Sequence, residues 1–370
     1  MTAHKVERPL ILVPGILESS LAIKKDPEFY GIWPLKPWIP NYDFLDGVLS
    51  DLGNNIRTKV DEDSRVVPAG LLPGFFENLI SAIINKWKYQ LERSFWVFPY
   101  DWRQSNEISG QMLAEFIKKK NLDSVDIICH SMGGFVTRAA YQQGARIKST
   151  AYIATPHYGN PLSYFELNPE IRNVGFSDFY EKGAMTDDVK YIISGHTDFE
   201  KKLNRLYRKW PSAYELMPDD IYLNNRPMIY SDRQPIRGTN KTYLENEWRL
   251  HQEDMQHNVR KAMKFKESLG KLHGNHYDTL VIYSNTLETL DTIGYSSTGI
   301  TIDEKTFHFS PPFDYDQKGD SIVVTHSATG SMSDSHSLKY RHKSIHNVIH
   351  TKLPNNNETI QEIQEFLNPQ

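Results

Sequence analysis

Ser131 lies in a pattern that is typical of a nucleophilic serine. The apolar run at 125–129 predicts a buried strand, and apolar residues at helical spacing from Phe135 onward predict a helix. Ser131 stands in the tight turn that must join the two, and such a turn exposes the serine oxygen at the start of the helix. Because the first N–H groups of a helix are free, negative charge that develops there is stabilised. The pattern therefore predicts a serine that attacks a carbonyl carbon.

Small residues surround Ser131, as a turn this sharp requires. Gly133 stands just beyond the turn, and Gly134 allows the helix to pack close to the sheet. The usual pattern also has a glycine shortly before the serine, where this chain has Cys129. The small cysteine side chain meets the same steric requirement. For the His130-Ser131 pair alone, an ordinary helix cap is the alternative interpretation.

A catalytic serine needs a base, and the base needs an acid that orients it. In chains with such a turn the order along the sequence is serine, acid, histidine. Asp320 stands in a predicted turn before an apolar segment, and His350 stands where the strand predicted at 340–349 ends. We therefore predict Asp320 as the acid and His350 as the base.

Other carboxylates and histidines of the same region compete for these two roles. The competitors are Asp314 and Asp316 for the acid, and His336, His342 and His346 for the base. Both competing carboxylates lie in a surface loop, and His346 is the main alternative to His350. Four histidines within fifteen residues would also suit a metal, but the spacing lacks a carboxylate-rich partner. We expect neither a metal nor another cofactor.

The negative charge formed on a substrate carbonyl oxygen needs two backbone N–H donors. The residue after the serine, Met132, supplies the first. The second is expected from the loop after an early strand, and the Pro14-Gly15-Ile16 turn follows the strand predicted at 10–13. We predict Ile16 as this donor. The alternative is that Pro14-Gly15 only ends the strand.

The composition limits the class of protein. The 370 residues are 39% hydrophobic and 24% charged, which is typical of a globular chain. A formal charge of −4 and a pI near 6.4 provide no basic surface, so nucleic acid is not an expected partner. Cys129 is the single cysteine, which excludes an intrachain disulfide. Without a signal-peptide pattern or a run of about 18 apolar residues, we expect a cytoplasmic protein.

Strands and helices alternate through residues 1–161, which predicts a parallel sheet with right-handed crossovers. Residues 29–73 interrupt this order with prolines and aromatic side chains, as a packed satellite or a lid over an apolar site would. No strand pattern recurs at 162–276, so we expect a helical cap inserted into the sheet domain. The second part of the sheet domain is expected at 277–370, with a small hairpin at 299–309.

Several motifs together resemble the lecithin:cholesterol acyltransferase-like branch of the α/β-hydrolases. In chain order they are Leu-Val-Pro-Gly-Ile at 12–16, Ser-Ser-Leu at 19–21, Trp-Pro at 33–34, Pro-Tyr-Asp-Trp-Arg at 99–103, His-Ser-Met-Gly-Gly at 130–134, Thr-Pro-His-Tyr-Gly at 155–159, Pro-Ser-Ala-Tyr-Glu-Leu-Met-Pro at 211–218 and Gly-Asp-Ser at 319–321. They follow the order of the family and cover most of the chain. The blocks at 99–103 and 211–218 are specific, whereas the serine turn alone is not.

This resemblance implies an α/β-hydrolase fold with a mostly parallel central sheet, helices on both faces and a cap over the site. It also implies a catalytic set and an oxyanion hole: Ser131, Asp320 and His350, with Ile16 and Met132. Asp101 and Arg103 would brace the sheet beside the site and take no part in the chemistry. Secreted relatives have disulfide-closed lids, which a chain with one cysteine lacks.

We therefore predict a serine esterase, lipase or O-acyltransferase that acts on a lipid-like or other ester through an acyl-serine intermediate. Hydrolysis of a lactone or an amide needs the same residues and remains an alternative, as does a hydrolase fold retained only for binding. A lid carrying the Trp-Pro pair at 33–34 would touch membranes transiently, although the mean hydropathy of −0.55 argues against permanent lipid contact.

Overall fold

The computed structural model describes residues 8–25, 28–33, 50–167, 205–225, 227–231, 234–236, 253–270, 272, 277–291, 293–295, 318–330 and 340–367. The hairpin predicted at 299–309, the two competing aspartates at 314 and 316, and His336 lie outside these residues. So do residues 34–49 of the proposed lid and residues 168–204 and 237–252 of the proposed cap.

The described strands, in chain order, are β1 (Leu10–Val13), β2 (Ser19–Lys25), β3 (Glu28–Trp33), β4 (Val66–Leu71), β5 (Phe95–Val97), β6 (Val125–His130), β7 (Ile147–Ile153), β8 (Ile229–Ser231), β9 (Gln234–Ile236), β10 (Asp278–Ser284), β11 (Leu287–Glu288), β12 (Ile293–Tyr295), β13 (Lys318–Gly319) and β14 (Tyr340–Ile345). The described α-helices are α1 (Glu77–Ser81), α2 (Asn106–Lys119), α3 (Gly133–Gln142), α4 (Pro161–Leu167), α5 (Pro211–Glu215), α6 (Asp220–Asn225), α7 (Glu253–Leu269), α8 (Thr325–Thr329) and α9 (Asn357–Leu367). A π-helical turn, Ala82–Lys86, continues α1, and a 3-10 helix, His350–Asn355, precedes α9.

Six strands form the central sheet in the spatial order β14-β10-β7-β6-β1-β5, and every neighbouring pair is parallel. The inner strands are apolar because helices surround the sheet and exclude water from both of its faces. All four residues of β1 have 0% exposure, and all six of β6 are buried. Helix α3 packs on β1, β6 and β7, whereas α9 packs on β10 and β14. The predicted mostly parallel sheet is confirmed.

A second sheet beside the first corrects the expectation for residues 29–73. Strands β3, β2 and β4 form an antiparallel sheet in that order, so part of this stretch is regular and β2 was not predicted at all. Proline does not prevent β4, because β4 lies at the edge of its sheet, where a missing N–H does not break the ladder. Pro68 pairs with Leu21 beside a register shift in β2. The lid function of 29–73 stays a prediction.

The expectation of no strand at 162–276 is wrong. Strands β8 and β9 lie within that range, and β8 pairs with β12 to make a third small sheet. Each of these strands has only three residues, which is too short for an alternating pattern to be recognised. Helix α7 lies in the same range and has 17 residues. Across the described residues, no helix combines the length and the apolar character needed to cross a membrane.

The block at 99–103 holds a distant segment of chain against the sheet. The guanidinium of Arg103, with 0% exposure, binds Asp101 through two hydrogen bonds, Nε to Oδ1 at 2.8 Å and Nη2 to Oδ2 at 2.7 Å. Its Nη1 donates to the backbone carbonyl oxygens of Asp51, Leu52 and Asn54 at 2.7 to 3.1 Å. These contacts satisfy a charge that burial would otherwise penalise.

The block at 211–218 caps a helix of the core. Glu215 accepts hydrogen bonds from the Ser105 hydroxyl at 2.5 Å and from the backbone N–H of Asn106 at 2.7 Å, at the start of α2. A carboxylate satisfies the free N–H groups of a helix start and interacts well with its dipole. Burial raises the pKa of Glu215 to about 7, although these hydrogen bonds lower it. Trp210 packs edge-to-face on Trp102 at 4.9 Å between ring centroids, which joins the two blocks.

Candidate active site

Ser131 occupies the turn between β6 and α3 with a backbone φ of 51°. This left-handed conformation is strained for a serine and persists only where the surrounding structure holds it. Here the N–H of Ser131 donates to the carbonyl oxygen of Ile153, the last residue of β7, at 2.9 Å. The serine is 6% exposed. The turn therefore fixes the direction of its side chain.

Close backbone approaches explain the small residues around the turn. A Cβ on Gly133 would lie 2.4 Å from the carbonyl oxygen of Pro14, and one on Gly134 would lie 2.3 Å from Thr155. A Cβ on Gly15 would lie 2.8 Å from the Cβ of Ser131. All three distances are shorter than van der Waals contact allows. The loop after β1 and the serine turn are therefore in direct contact.

Asp320 and His350 are brought together by the loop after β13 and the end of the chain after β14. His350 Nδ1 lies 2.8 Å from Asp320 Oδ2, and the backbone N–H of His350 donates to the backbone carbonyl of Asp320 at 2.8 Å. The other carboxylate oxygen, Oδ1, accepts from the N–H groups of Ile322 at 3.0 Å and Val323 at 2.7 Å. Asp320 has 0% exposure, so these protein groups take the place of water around its carboxylate.

The environment of His350 favours its protonated form. Burial lowers the pKa of the imidazole, but the charge of Asp320 and its hydrogen bond raise it, with a further increase from the charge of Glu18. The net effect is a pKa above the ordinary value of 6.5. A histidine in this setting accepts a proton readily from a neighbouring group.

Ser131 and His350 line the same cavity, of about 80 Å³, but no hydrogen bond joins the serine to the imidazole. Catalytic hydrogen bonds are often long before substrate binds. The competing His342 lies in β14 and His346 in the turn after it, and neither lines this cavity. The residues that line it are Ile16, Leu17, Glu18, Leu72, Phe75, Ser131, Pro156, Asn160, Leu162, Ser163, Glu166, Tyr207, Leu216, Ile322, Val323, His350 and Thr351.

Ile16 and Met132 flank the serine turn from two sides. Ile16 lines the cavity from the loop after β1, and Met132 is the residue that precedes α3. Within the described residues, neither the Ile16 N–H nor the Met132 N–H donates a hydrogen bond. Met132 itself does not line the cavity, and the role of the two N–H groups as oxyanion donors stays a prediction.

Two residues with a structural part in this site, Glu18 and His130, were not predicted. Glu18 Oε2 accepts the N–H of Gly15, and Glu18 Oε1 lies 2.5 Å from His130 Nδ1. The other ring nitrogen, Nε2, lies 3.2 Å from the backbone carbonyl oxygen of His350. A carbonyl oxygen only accepts, so Nε2 carries a proton. This network ties the loop after β1 to the loop of His350 through the residue before Ser131.

A sequence signal for this network exists but is weak. Glu18 follows the Pro14-Gly15 turn, and His130 immediately precedes the serine. An acid near a turn and a histidine in a buried strand are common, and nothing local indicates that they meet. Their contact depends on the parallel pairing of β1 with β6.

His157 lies outside the cavity that contains Ser131. It is buried, and burial lowers the pKa of its imidazole well below the ordinary value, so the ring is neutral. It packs edge-to-face on Tyr152 at 5.0 Å between centroids. Elsewhere in the described chain, no group of three or more His, Cys, Asp or Glu side chains is arranged to hold a metal.

Comparisons with known proteins give limited sequence similarity. No family model matches the chain. It is 30% identical over 128 residues to an uncharacterized protein of Saccharomyces cerevisiae, covering 32% of this chain and 20% of that protein. It is 24% identical over 168 residues to the Mycoplasma genitalium protein named "Putative esterase/lipase 3", covering 38% of this chain and 62% of that protein. The matched stretches thus span less than two thirds of either relative.

Structural similarity extends over the whole chain. A chain in the crystal structure of the Tle4-Tli4 complex superposes with a TM-score of 0.62 at 13% identity, covering 98% of both chains. The strand order, the parallel pairing and the serine turn between β6 and α3 agree with this likeness. The chain has the α/β-hydrolase fold.

Proposed function

We propose that this protein is a serine-dependent carboxylic ester hydrolase. The observation that carries the proposal is the hydrogen bond of 2.8 Å between His350 Nδ1 and Asp320 Oδ2, because His350 lines the same cavity as the strained Ser131. A base held by a buried acid, in the same cavity as a serine hydroxyl, is the arrangement that nucleophilic catalysis requires. The Mycoplasma relative is named as an esterase/lipase, which agrees with this chemistry.

In the proposed mechanism, Ser131 Oγ forms a bond to the ester carbonyl carbon while its proton passes to His350 Nε2. The N–H groups of Ile16 and Met132 stabilise the negative charge on the carbonyl oxygen, and each such donor is typically worth about 3 kcal/mol. His350 then gives the proton to the leaving alkoxide as the C–O bond breaks. Asp320 holds the tautomer in which Nε2 is free to accept.

The acyl group would lie against an apolar wall of the cavity. Leucine, isoleucine, valine and phenylalanine side chains make up more than a third of its lining residues. Such a wall favours an acyl chain over a charged group. Water resolves the acyl-serine in a hydrolase, and an alcohol resolves it in an acyltransferase. No observation favours the alcohol, so hydrolysis is the function proposed.

Hydrolysis of p-nitrophenyl esters from acetyl to palmitoyl tests the proposal. We expect turnover by the wild type and at least a 1,000-fold loss, on the order seen for triad residues, in Ser131→Ala. Ser81→Ala is the matched control and should retain the full rate, because Ser81 is an exposed residue at the end of α1. Circular dichroism checks that both variants are folded.

A fluorophosphonate probe separates the alternatives. Labelling of the wild type and not of Ser131→Ala supports a nucleophilic serine, and products formed with an added lipid alcohol would assign acyl transfer. Turnover confined to lactones or amides would replace the ester assignment. A folded wild type that neither turns over any ester nor reacts with the probe would contradict the enzyme and favour a binding protein.

A further inference from the structure

Asn160 lines the cavity that contains Ser131 and His350, and the proposed mechanism does not use it. It immediately precedes helix α4, and its Oδ1 atom accepts the N–H of Leu162 at 2.9 Å. A side-chain oxygen in this position satisfies one of the free N–H groups at a helix start. The backbone N–H of Asn160 donates to the carbonyl oxygen of Leu216 at 2.7 Å. The two contacts hold the residue in place on the cavity wall.

The contact with Leu162 determines which end of the Asn160 amide is free. A backbone N–H needs an acceptor, so the bonded atom is the amide oxygen, and the other end is Nδ2 with its two N–H donors. Nδ2 donates no hydrogen bond within the described residues, and it is not one of their unpartnered side-chain atoms that are closed off from solvent. Because Asn160 is 7% exposed and lines this cavity, the open amino group is accessible to a ligand there.

Other polar side chains of the same lining already have a partner or a role. Glu18 and Ser163 are hydrogen-bonded within the protein, and the proposed mechanism uses Ser131 Oγ and His350 Nε2. Asn160 Nδ2 has neither a protein partner nor a step in that mechanism. An N–H group beside apolar side chains is stabilised when a ligand oxygen accepts its hydrogen bond. The free amide end is therefore a contact that a substrate can use.

The surroundings limit the kind of group that Nδ2 can bind. The amide nitrogen donates and does not accept, so its partner must be an acceptor atom. Among the described residues, no lysine or arginine lines the cavity, and the imidazole of His350 is already paired with Asp320. An anionic group would thus lie beside apolar side chains without a counter-charge, which is costly. The partner is an uncharged oxygen, as in an ether or a second carbonyl group.

We propose that Asn160 is a substrate-binding residue that donates a hydrogen bond from Nδ2 to a second, uncharged oxygen of the ester. The carbonyl oxygen that Ser131 attacks has two predicted backbone donors, so the amide is available to another oxygen. The substrate class is then an ester with an apolar acyl group for the apolar wall and an ether or carbonyl oxygen elsewhere in the molecule. This inference rests on the proposed ester hydrolysis and adds the specificity of that site.

Two matched pairs of esters test the contact, and each pair differs by one ether oxygen in place of a methylene group. In 2-methoxyethyl butanoate and butyl butanoate the difference lies in the alcohol part, and in ethyl 4-methoxybutanoate and ethyl hexanoate it lies in the acyl part. For at least one pair, we expect the ratio of kcat/KM, methoxy ester over alkyl ester, to fall about threefold to tenfold in Asn160→Ser. The serine hydroxyl still caps α4 but lacks the amide donor.

Asn160→Asp should lower the same ratio at least as far, because it keeps an acceptor for Leu162 and replaces the donor by a second acceptor. A residue that only capped the helix would leave the ratio unchanged in both variants, since serine and aspartate are favoured caps. Asn85→Ser, at an exposed position of the π-helical turn, is the matched control and should leave both ratios unchanged. Thermal unfolding checks that all three variants are folded.

Unchanged ratios for both pairs in Asn160→Ser and Asn160→Asp would overturn the proposal. So would an equal loss for all four esters, because the amide would then act on the reacting carbonyl oxygen. Hydrolysis of p-nitrophenyl butanoate, run in parallel, distinguishes these results from failure of the enzyme assignment.

If the wild type hydrolyses no ester, binding still decides. Calorimetry then measures the affinities of the same four esters for Ser131→Ala and for Ser131→Ala/Asn160→Ser. A methoxy-to-alkyl affinity ratio that is lower in the double variant, for at least one pair, would support the contact. Ratios that are equal in the two variants, or no binding of either methoxy ester, would contradict a hydrogen bond from Asn160.

Discussion

His130 Nδ1 lies 2.5 Å from Glu18 Oε1, although the two residues are 112 positions apart in the chain. Both side chains are buried, at 0% and 3% exposure. Glu18 also accepts the N–H of Gly15, and His130 reaches the backbone carbonyl of His350. The carbonyl oxygen of His350 only accepts, so His130 Nε2 is the donor in that contact. The pair therefore connects the loop of the proposed oxyanion donor with the loop of the proposed base.

We predict that Glu18 is a positioning residue. Glu18→Leu leaves the Gly15 N–H and the imidazole of His130 without partners, so we expect kcat to fall about 10- to 100-fold and stability to fall by about 1–3 kcal/mol. Glu18→Gln still accepts from Gly15 and donates to Nδ1, so its kcat should lie within about tenfold of the wild type.

Steady-state kinetics with urea unfolding measures both effects, and Glu115→Gln, on the exposed face of α2, is the control. Because the charge of Glu18 raises the pKa of His350, the acid limb of Glu18→Gln should also move to lower pH. A purely structural role predicts lost stability in Glu18→Leu with kcat unchanged in the folded fraction.

The second prediction concerns pH. A general base works only when it is unprotonated, so a pKa above 6.5 at His350 places the acid limb of kcat/KM above pH 6.5. In Asp320→Asn the charge that raises this pKa is gone and burial still lowers it, so the limb should move to lower pH. The plateau of kcat/KM above the acid limb should also fall about 10³- to 10⁴-fold, because the amide that replaces the Asp320 carboxylate in this variant favours the wrong tautomer of the His350 imidazole.

The matched control for pH is Asp126→Asn, another buried aspartate, near the opposite end of β6 from Ser131. Asp126 accepts a hydrogen bond from Arg8 Nε at 3.0 Å. The variant should leave the midpoint of the acid limb unchanged. An acid limb at or below pH 6.5 in the wild type would argue against His350 as the base.

The third prediction concerns the buried ion pair of Arg103 and Asp101. Arg103→Met leaves the buried Asp101 carboxylate unpaired, so we expect a loss of about 3–5 kcal/mol in the free energy of unfolding. Arg103→Lys should recover little, because a lysine lacks the planar fork that meets both carboxylate oxygens. The double variant Arg103→Met/Asp101→Leu removes both charges and should be more stable than Arg103→Met. Urea unfolding measures all three, and a loss below about 1 kcal/mol in Arg103→Met would refute a bracing role.

The fourth prediction concerns Gly133, whose added Cβ would lie 2.4 Å from Pro14 and 2.6 Å from Val13. Gly133→Ala should push the loop of Ile16 away from the serine turn. We expect kcat to fall at least about tenfold and stability by about 1–3 kcal/mol, as overpacking usually costs. Gly31→Ala is the control, because nothing lies within 4 Å of its added Cβ. Equal behaviour of the two variants would disprove the close approach.

Local patterns were sufficient for the elements of the central sheet. The apolar runs that became β1 and β6 are continuous because parallel strands are buried on both faces. Asparagine is a favoured residue at a helix start, and the Asn356 side chain caps the terminal helix α9 by accepting from the N–H of Glu358 at 2.9 Å. These features depend on neighbours in the chain, so the sequence alone contains the information.

The irregular parts were harder because their pairing is non-local. The strand β2 pairs with β3 and β4, which lie elsewhere in the chain. A proline in β4 hid its strand pattern, although an edge strand tolerates a proline. The strands β8 and β9 are too short to show a period. The physical cause in each case is that the partner strand, and not the residue order, provides the stabilising hydrogen bonds.

The sequence by itself determined the serine turn, the strand that precedes it and the candidates for acid and base, because sharp turns and buried strands restrict residue types locally. Only the tertiary structure brought Asp320 to His350, paired Glu18 with His130 and placed Asn160 on the wall of the cavity that contains Ser131. Contacts between distant residues depend on the register of the sheet and on the packing around it. A titratable side chain acquires its charge and its role from those neighbours.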